Sequence, residues 1–449
     1  MKKESTPLFK QGYFKTIIIL SIAVWLVVMN TTMFNVALPN VLSDFSLSPS
    51  QGAWIVSGYS IVLAIFTITY TRLSDYVPLK RLLMIGVVLF ASASVFGYFT
   101  QNFIWLMIAR LFQAAGAAAI PGLSYVYAGR FVPGHHRGRA MAFIASASSL
   151  GFGLGPVFGG AITDYLNWNF LFVFTLLVIL LLPVLNKRLP EESSQPGHFD
   201  KIGAVLTGLS VTALLLFIST ITWYYLAVGL MLAGMLWWHL NKNNAPFIQP
   251  KLIRNKPYRL IVYMSYLGFT THFAILVLMP LMLKNVYDKS PTTVGLIIFP
   301  GAFLSALAAV YVGRLIDRYG NIRVMLLAHV LLTGSVVIFY FLSPVNEYMI
   351  MIGYMFTSFG FSSLSSSSTN EISHFLPSTL IGSGIGLKQL VQFVGSASGP
   401  VLAGFFLELG DVQYSMASFQ NTFLFILVLM VISCIIFGQM VIRSKKVEG

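Results

Sequence analysis

The sequence has few charged residues and almost no cysteine. Only 9% of its 449 residues are Asp, Glu, Lys or Arg, whereas soluble globular proteins have about 25%. So few charges cannot cover the surface of a chain this long, which excludes a water-soluble fold. The single cysteine, Cys434, excludes an intramolecular disulfide framework and a cysteine metal cluster.

Motifs for nucleotide hydrolysis, metal chemistry and nucleophilic catalysis are also missing. The chain has no GxxxxGK[ST] phosphate loop, no HExxH pair and no GxSxG turn. The net charge of +14 comes from basic residues spread over predicted loops. They do not gather on an aromatic-rich groove, so nucleic-acid binding is not expected. We therefore predict a protein that is not an enzyme and has no metal and no cofactor.

Long apolar stretches dominate the chain. Hydrophobic residues make up 57% of it, and its mean hydropathy is +0.80. Since about 20 apolar residues suffice to cross a bilayer, the pattern predicts an all-α polytopic protein of the cytoplasmic membrane. The fourteen predicted spans are 16–38, 53–71, 82–100, 103–127, 140–162, 168–186, 202–220, 222–240, 260–283, 293–312, 324–342, 348–368, 383–407 and 419–442.

The basic residues indicate the orientation of these spans. Cytoplasmic segments of membrane proteins are enriched in Lys and Arg. With both termini in the cytoplasm, 24 of the 28 basic residues fall on that side. The exceptions are Lys284 and Lys289 outside, and Arg110 and Lys388 within spans. A wrong helix count would scramble this asymmetry, so we predict an even number of spans and two cytoplasmic termini.

Two segments of the first part of the chain recur in the second part. TRLSDYVPLKR at 71–81 matches GRLIDRYGNIR at 313–323, and GFGLGPVFGG at 151–160 matches GSASGPVLAG at 395–404. The two offsets, 242 and 244 positions, are nearly equal. We predict two six-helix halves, 1–188 and 256–449, separated by an inserted two-helix segment with cytoplasmic linkers, 189–255. Parallel repeats of this kind place the substrate site between the halves, near the bilayer midplane.

Several longer motifs occur in order along the chain. They are NTTMFNVALP at 30–39, WIVSGY at 54–59, RLSD at 72–75, RLFQAAGAA at 110–118, RGRAM at 137–141 and GPVFGGAITDYLNW at 155–168. With these motifs, essentially the whole chain resembles the major facilitator superfamily, in its fourteen-helix drug:proton antiporter branch. PFIQPKLIRN at 246–255 is similar to the tetracycline exporters of this branch. The resemblance implies the major facilitator fold, drugs and protons as transported partners, and a bacterial membrane.

Small residues in the fifth span are candidates for gating. Gly151, Gly155 and Gly159 recur every four residues, so they share a helix face and let a neighbouring backbone approach closely. Pro156 removes one helical hydrogen bond and bends the helix. The resemblance implies the antiporter motif, a tight kinked seam that gates one side. Ordinary small-residue packing is the alternative.

Two aspartates in cytoplasmic loops are further gating candidates. Asp75 and Asp317 lie beside basic residues, and the resemblance implies a charge–dipole latch that holds the inward side shut. The alternative is a solvated loop salt bridge worth about 0–1 kcal/mol. The first copy departs from the family pattern at Thr71, Pro78 and Leu79.

Arg110 is the most informative single residue. It falls about seven residues into the fourth span, where a charge is costly and normally faces a partner or a water-filled cavity. The resemblance assigns this position to proton coupling, and Gln113 lies on the same helix face. Asn30, at a similar depth in the first span, stands where the drug exporters of this branch commonly have Asp and the tetracycline exporters Glu. The tetracycline exporters also have acids at the positions of Phe152 and Ser396.

A cavity without those acids has consequences for substrate and coupling. With Arg110 and no fixed negative charge, it should favour neutral, zwitterionic or carboxylate-bearing amphiphiles, such as fluoroquinolones, over cationic dyes. The proton must then bind elsewhere. One hypothesis places it on half-buried acids at the outer helix ends, Asp44, Asp164 and Glu408. Another places it on His272, whose alternative is a neutral histidine hydrogen-bonded to a neighbouring helix.

Aromatic and polar residues of the inner spans are the predicted substrate contacts. Rigid aromatic walls bind varied flat amphiphiles. The predicted contacts are Asn30, Phe34, Tyr59, Arg110, Gln113, Phe152, Phe273, Gln392 and Phe393. Phe112 also lies in a span that is expected to border the cavity. Lys388 is expected to snorkel to the cytoplasmic face, or alternatively to line the cavity with Gln389 and Gln392.

Three other functions are compatible with parts of this pattern. A tetracycline–metal exporter is disfavoured because a cationic complex would require a fixed negative partner. A metabolite or lipid transporter of the same fold remains open. A membrane scaffold without turnover is disfavoured because nothing would offset the cost of placing Arg110 within the membrane.

Overall fold

The structure is a computed structural model that describes residues 12–47, 49–194, 199–243, 246–289, 291–408 and 415–448. Within these ranges the chain is helical, and no strand occurs. The long helical segments are α1 Gly12–Asp44, α2 Pro49–Leu73, α3 Leu79–Tyr98, α4 Phe103–Phe131, α5 Gly134–Tyr165, α6 Phe170–Arg188, α7 Lys201–Thr220, α8 Trp223–Lys242, α9 Lys256–Asn285, α10 Pro291–Tyr319, α11 Asn321–Leu342, α12 Tyr348–Phe375, α13 Ser378–Glu408 and α14 Met416–Glu448.

Each predicted span overlaps one of these segments. In the described part of the chain, nine helices are long and apolar enough to cross a membrane, and three shorter apolar stretches lie in α2, α7 and α10. Helices suit this environment because they satisfy their backbone hydrogen bonds internally. The described part of the chain is thus helical and contains several helices that can cross a membrane.

Local sequence explains where several helices begin. Asn102 caps α4 by accepting a hydrogen bond from the backbone N–H of Trp105 (3.1 Å). Asn255 caps α9 in the same way through Tyr258 (3.0 Å), and Pro257 occupies the first turn, where no N–H is needed. Short polar side chains are favoured at these positions because they satisfy otherwise unpaired N–H groups.

The two predicted halves pair their helices in the same way. α1 packs against α5 in the first half, and α9 packs against α13 in the second. The halves meet mainly where α5 contacts α10 and α12, and where α2 contacts α13. This arrangement places α5 and α13 at the joint between the halves, whereas Gly155 and Gly399 within them pack against α1 and α9 of their own halves.

The inserted helices lie beside this joint. α7 and α8 pack against each other, and α7 also contacts α2 and α13. A small apolar cluster holds them there, formed by Ile61, Ala64, Ile68, Val211, Leu240, Phe247, Ile248 and Leu390. The insertion therefore contacts both halves.

Candidate substrate and coupling site

Arg110 is enclosed by two aromatic rings. Its side chain is only 1% exposed. The guanidinium carbon lies 3.9 Å from the ring centre of Phe34, on α1, and 4.0 Å from that of Tyr59, on α2. Cation–π contacts are worth up to about 2 kcal/mol each when they are desolvated. The rings therefore offset part of the cost of burying this cation, and Arg110 faces the protein interior and not the lipid.

A polar relay holds the edge of the guanidinium. Its Nη1 donates to Oε1 of Gln113 (2.6 Å). Gln113 Nε2 donates to Ser94 Oγ on α3 (2.8 Å) and lies 3.4 Å from Thr175 Oγ1 on α6. Among the described residues, no carboxylate lies within ion-pair distance of Arg110. The charge of Arg110 is therefore stabilised by aromatic rings and polar neutral groups, and not by an anion.

Two polar atoms of this cluster have no hydrogen-bond partner among the described residues. They are Nε of Arg110, a donor, and Oδ1 of Asn30, an acceptor. The amide nitrogen of Asn30 donates to the Tyr59 hydroxyl (3.3 Å). An unsatisfied buried group costs about 1–3 kcal/mol, so the cluster favours a bound polar group that supplies both an acceptor and a donor.

A second polar and aromatic region lies between the two halves. It contains a small cavity of about 30 Å³, with room for about one water molecule. Phe152 of α5, which lines this cavity, meets Phe273 of α9 edge-to-face, with ring centres 4.6 Å apart. The lining comprises Val28, Pro121, Tyr125, Ser148, Phe152, Phe269, Phe361, Ser365, Gln389, Gln392 and Phe393.

The structure divides the predicted substrate contacts between these two places. Asn30, Phe34, Tyr59, Arg110 and Gln113 form the arginine cluster. Phe152, Gln392 and Phe393 line the cavity, and Phe273 contacts Phe152.

Phe112 belongs to neither group, and its prediction as a cavity residue was wrong. It is 55% exposed on the outer surface of the bundle. Two positions beyond Arg110, the helix has turned by about 200°, so these two side chains point in opposite directions.

Lys388 also differs from its expected position. It is fully buried, and its ammonium donates to the Ser365 carbonyl oxygen (3.2 Å) and to Thr369 Oγ1, both on α12. The snorkelling expectation was wrong because α13 begins at Ser378, which places Lys388 about 15 Å into the helix at 1.5 Å per residue. The interior thus contains a second basic side chain, in the other half.

Two buried histidines, His272 and His329, differ in their surroundings. His272 is fully buried and stacks on Phe361 with ring centres 4.0 Å apart, and neither ring nitrogen has a partner among the described residues. Among the described residues, His272 therefore makes no hydrogen bond to a neighbouring helix, contrary to the alternative prediction. His329 contacts the Met325 carbonyl (2.8 Å) and Ser433 Oγ (3.0 Å), which gives it a structural role.

The outer acids do not form a half-buried cluster in the described part of the chain. Asp44 accepts a hydrogen bond from Trp168 Nε1 (2.6 Å) but is exposed, and Asp164 is exposed as well. The side chain of Glu408 lies outside the described residues. Proton exchange by Asp44 and Asp164 was predicted because they were expected to be half-buried. Both are exposed instead, so that prediction was wrong.

At the predicted cytoplasmic end, Asp75 joins the two halves. Its carboxylate accepts hydrogen bonds from Arg72 (2.7 Å) and Arg130 (2.6 Å) of its own half and from Ser383 (2.9 Å), near the start of α13 in the other half. A Cβ on Gly382 would lie 2.7 Å from the carboxylate. A glycine is therefore needed for this close approach.

Asp317 forms the corresponding contact from the second half. It pairs with Arg139, near the start of α5, at 2.9 Å. Arg139 and Ser383 lie 244 positions apart, so each aspartate contacts the equivalent site in the opposite half. Burial raises the pKa of Asp317, which lies beyond the predicted span 293–312, to about 6, although Arg139 opposes the shift. The two contacts are thus equivalent in position, but Asp75 has more hydrogen-bond partners than Asp317 has ion-pair partners.

The glycines of the fifth span pack on α1. A Cβ on Gly155 would lie 2.8 Å from the Met29 carbonyl oxygen, and one on Gly159 would lie 2.7 Å from that of Met33. Gly151 approaches the same helix one turn earlier. This close seam leaves no room for larger side chains.

Pro156 modifies the same seam. Because proline has no N–H, the carbonyl of Phe152 loses its helical partner. Thr32 of α1 lies 3.4 Å from that carbonyl oxygen and can donate to it. The carbonyl that Pro156 leaves without a helical partner therefore contacts α1 instead.

One network was missed by the sequence analysis. Asp200, before α7, accepts from the backbone N–H of Phe247 (3.0 Å) and contacts His239 of α8 (2.9 Å). The neighbouring Pro246 carbonyl accepts from Arg72 (3.2 Å). The insertion is thereby connected to the Asp75 latch. A polar residue just before an apolar helix predicts a helix cap. It does not predict that the same residue also contacts residues about 40 positions away.

Two repeated helical halves around a polar central region are the architecture of secondary transporters. The family model of the Major Facilitator Superfamily matches residues 20–400 and 260–448. The chain belongs to this superfamily, as the sequence motifs indicated, and is a multi-pass protein of the cell membrane.

Similar proteins include bacterial efflux pumps. The multidrug efflux pump LfrA of Mycolicibacterium smegmatis is 26% identical over 86% of this chain and 79% of its own length. The putative multidrug resistance protein MdtD of Enterobacter sp. is 24% identical over 93% of each chain. The riboflavin transporter RibZ of Clostridioides difficile is 25% identical over 72% of each.

Solved structures share the fold. The human organic anion transporter MFSD10 superposes with a TM-score of 0.73 at 15% identity, covering 95% of this chain and 100% of that one. A bacterial homologue of the iron transporter ferroportin gives 0.65 at 14% identity over 95% and 98%. At these identities the likeness concerns the fold alone.

Proposed function

We propose that the protein exports amphiphilic drugs in exchange for protons, as a fourteen-span transporter with both termini in the cytoplasm. Its preferred substrates would be neutral, zwitterionic or carboxylate-bearing, as fluoroquinolones are. The observation that supports this most strongly is the buried Arg110, which is stacked between two rings and has no described carboxylate partner. The multidrug pumps among its relatives support drug export.

In the proposed cycle the two halves rock about the central cavity. The Asp75 and Asp317 latches close the inner side, and the seam of α1 and α5 moves as one unit. A drug carboxylate would approach Arg110, and a proton would bind at His272. Since Arg110 has an unpartnered Nε, a substrate oxygen can bind there without breaking an existing hydrogen bond.

Transport in proteoliposomes tests the proposal. Under an imposed pH gradient, norfloxacin efflux should exceed that of ethidium and of tetracycline. Arg110→Ala should reduce norfloxacin transport at least tenfold, whereas Phe112→Ala, on the lipid-facing side of the same helix, should leave it nearly unchanged. Normal pumping by Arg110→Ala, or a preference for ethidium, would contradict the proposal.

A second candidate function is export of a flat, neutral metabolite. Gln389 and Gln392 each have a buried polar atom without a partner among the described residues, and both line a cavity with aromatic walls. Carboxamides pair with the lactam or imide edge of a heterocycle. One relative is named a riboflavin transporter. Riboflavin belongs in the same assay, and its uptake or efflux without norfloxacin transport would favour this function.

A further inference from the structure

A groove of about 550 Å³ opens on the outer surface of the second half. It lies between α10, α11 and α12, toward the predicted cytoplasmic end. Its lining residues are Leu304, Tyr311, Arg314, Leu315, Arg318, Tyr319, Leu327, Leu331 and Phe359. Neighbouring side chains on the same surface, such as Phe303 and Leu326, are apolar and exposed, so the groove faces lipid.

The polar part of the groove is formed by two arginines. Arg314 and Arg318 are four residues apart on α10, so they lie on one helix face. Both are exposed, and in the described part of the chain neither has a carboxylate within ion-pair distance. Asp317, between them in sequence, is bound to Arg139 of α5 instead. The groove therefore contains two positive charges that protein anions do not neutralise.

The remaining lining has the character of a membrane interface. Tyr311 and Tyr319 are exposed beside the arginines, and tyrosines are enriched at the level of lipid headgroups. Leucines and a phenylalanine continue the groove toward the bilayer interior. The order of basic, aromatic and apolar residues matches a headgroup phosphate, a glycerol backbone and an acyl chain.

We propose that this groove binds a phospholipid with an anionic headgroup from the cytoplasmic leaflet. Arginine pairs with phosphate through two parallel hydrogen bonds, and basic pockets between membrane helices bind such headgroups. The bound lipid neutralises Arg314 and Arg318, so that neither competes with Arg139 for Asp317. This proposal requires only the membrane setting and not the proposed substrates.

Native mass spectrometry of the full-length protein tests the lipid preference. The purified chain in non-ionic detergent is titrated with phosphatidylglycerol and, separately, with phosphatidylcholine of the same acyl chains. We expect phosphatidylglycerol to be retained more strongly. With about 1 kcal/mol for each basic residue, two arginines give roughly a 30-fold preference. Equal retention of the two lipids would overturn the proposal.

Matched variants assign the preference to this groove. Arg314→Gln with Arg318→Gln should remove most of it. Arg259→Gln with Arg323→Gln removes the same charge from two exposed arginines at the same end of the bundle and should leave it intact. An equal loss in both double variants would show a diffuse basic surface instead of a site and would refute the proposal.

Two further measurements separate a lipid site from a phosphate site. Leu327→Trp fills the apolar part of the groove while keeping both arginines, and it should also reduce phosphatidylglycerol retention. Glycerol phosphate, the headgroup without acyl chains, should not displace the lipid at equal concentration. Displacement by glycerol phosphate, together with an unchanged Leu327→Trp variant, would identify a simple anion site and overturn the lipid assignment.

Discussion

The inner latches should differ in how much they resist opening. Asp75 is 9% exposed and accepts hydrogen bonds from two arginines and from Ser383 across the joint. Removing one partner of a buried ion pair costs roughly 3–5 kcal/mol, because the remaining charges are left uncompensated. Asp75→Asn would leave two arginines facing a neutral amide. We expect it to shift the equilibrium toward the inward-open state by at least about 3 kcal/mol, or more than 100-fold.

Asp317 should hold the closed state less strongly than Asp75 does. It makes a single ion pair, and its side chain is 15% exposed. Burial raises the pKa of Asp317 to about 6, so the cost of desolvating its carboxylate outweighs the attraction of Arg139. Asp317→Asn should therefore change the conformational equilibrium by no more than about 1 kcal/mol.

Distances between spin labels can measure both shifts. Arg81 and Arg323 begin α3 and α11, are exposed, and belong to opposite halves. Labels on cysteines at these positions, in a Cys434→Ser background, report separation of the inner helix ends. Asp75→Asn should populate a longer distance, and Asp164→Asn, an exposed acid at the other end, should not. The reasoning fails if Asp317→Asn opens the protein as much as Asp75→Asn does.

Three further outcomes are expected. Burial raises the pKa of Asp317 to about 6 in the folded state, so this residue binds a proton more readily there than in the unfolded chain. Its contribution to the free energy of unfolding is therefore present below about pH 4 and is lost as pH rises through about 6. In thermal melts, the wild type should lose about 1 kcal/mol of stability relative to Asp317→Asn over that pH interval. Asp200→Asn should destabilise the segment around Phe247 by about 1–3 kcal/mol and speed its hydrogen exchange. Asn241→Ala, near the end of α8, should have little effect, because Asn241 accepts a hydrogen bond from the exposed Arg254. Gly155→Ala should cost about 1–3 kcal/mol and most transport through overpacking against α1, whereas Gly334→Ala, with open space around it, should leave melting temperature and transport unchanged.

Long apolar stretches made the helices predictable, but not their ends. α10 continues to Tyr319 and α12 to Phe375, well past the predicted ends at 312 and 368. Helix formation does not stop where the apolar run stops, because polar residues can continue a helix in water. This effect also explains the error at Lys388, since its depth was counted from an apolar boundary and not from the first helical turn.

The charge of Arg110 could be placed inside the membrane from sequence, but its environment could not. This arrangement depends on the rotation of α1 and α2, which brings the ring centres of Phe34 and Tyr59 within 3.9 and 4.0 Å of one guanidinium carbon. Helical periodicity fixes which residues share a face of one helix, not which helix that face meets. The relay through Ser94 and Thr175 was unpredictable for the same reason.

The repeat seen in the sequence is also visible in the contacts between the two halves. The Asp75 contact and the Asp317 contact are exchanged between halves, yet Ser383 stands where the other half has Arg139. A hydroxyl donates one hydrogen bond and carries no charge, so it can release a carboxylate at a lower electrostatic cost than a guanidinium can.

The strong attachments of Asp75 therefore lie within its own half, through Arg72 and Arg130. Across the joint it is held by the hydroxyl of Ser383 and by the electrostatic field at the start of α13. Ser383 also accepts a hydrogen bond from Arg72 (3.1 Å), so both members of this ion pair contact the other half. Ser383→Ala should still ease opening less than Asp75→Asn does, because the two buried arginines keep their anion in the closed state. Equal opening in the two variants would instead mean that the hydroxyl of Ser383, and not the charge of Asp75, holds the joint closed.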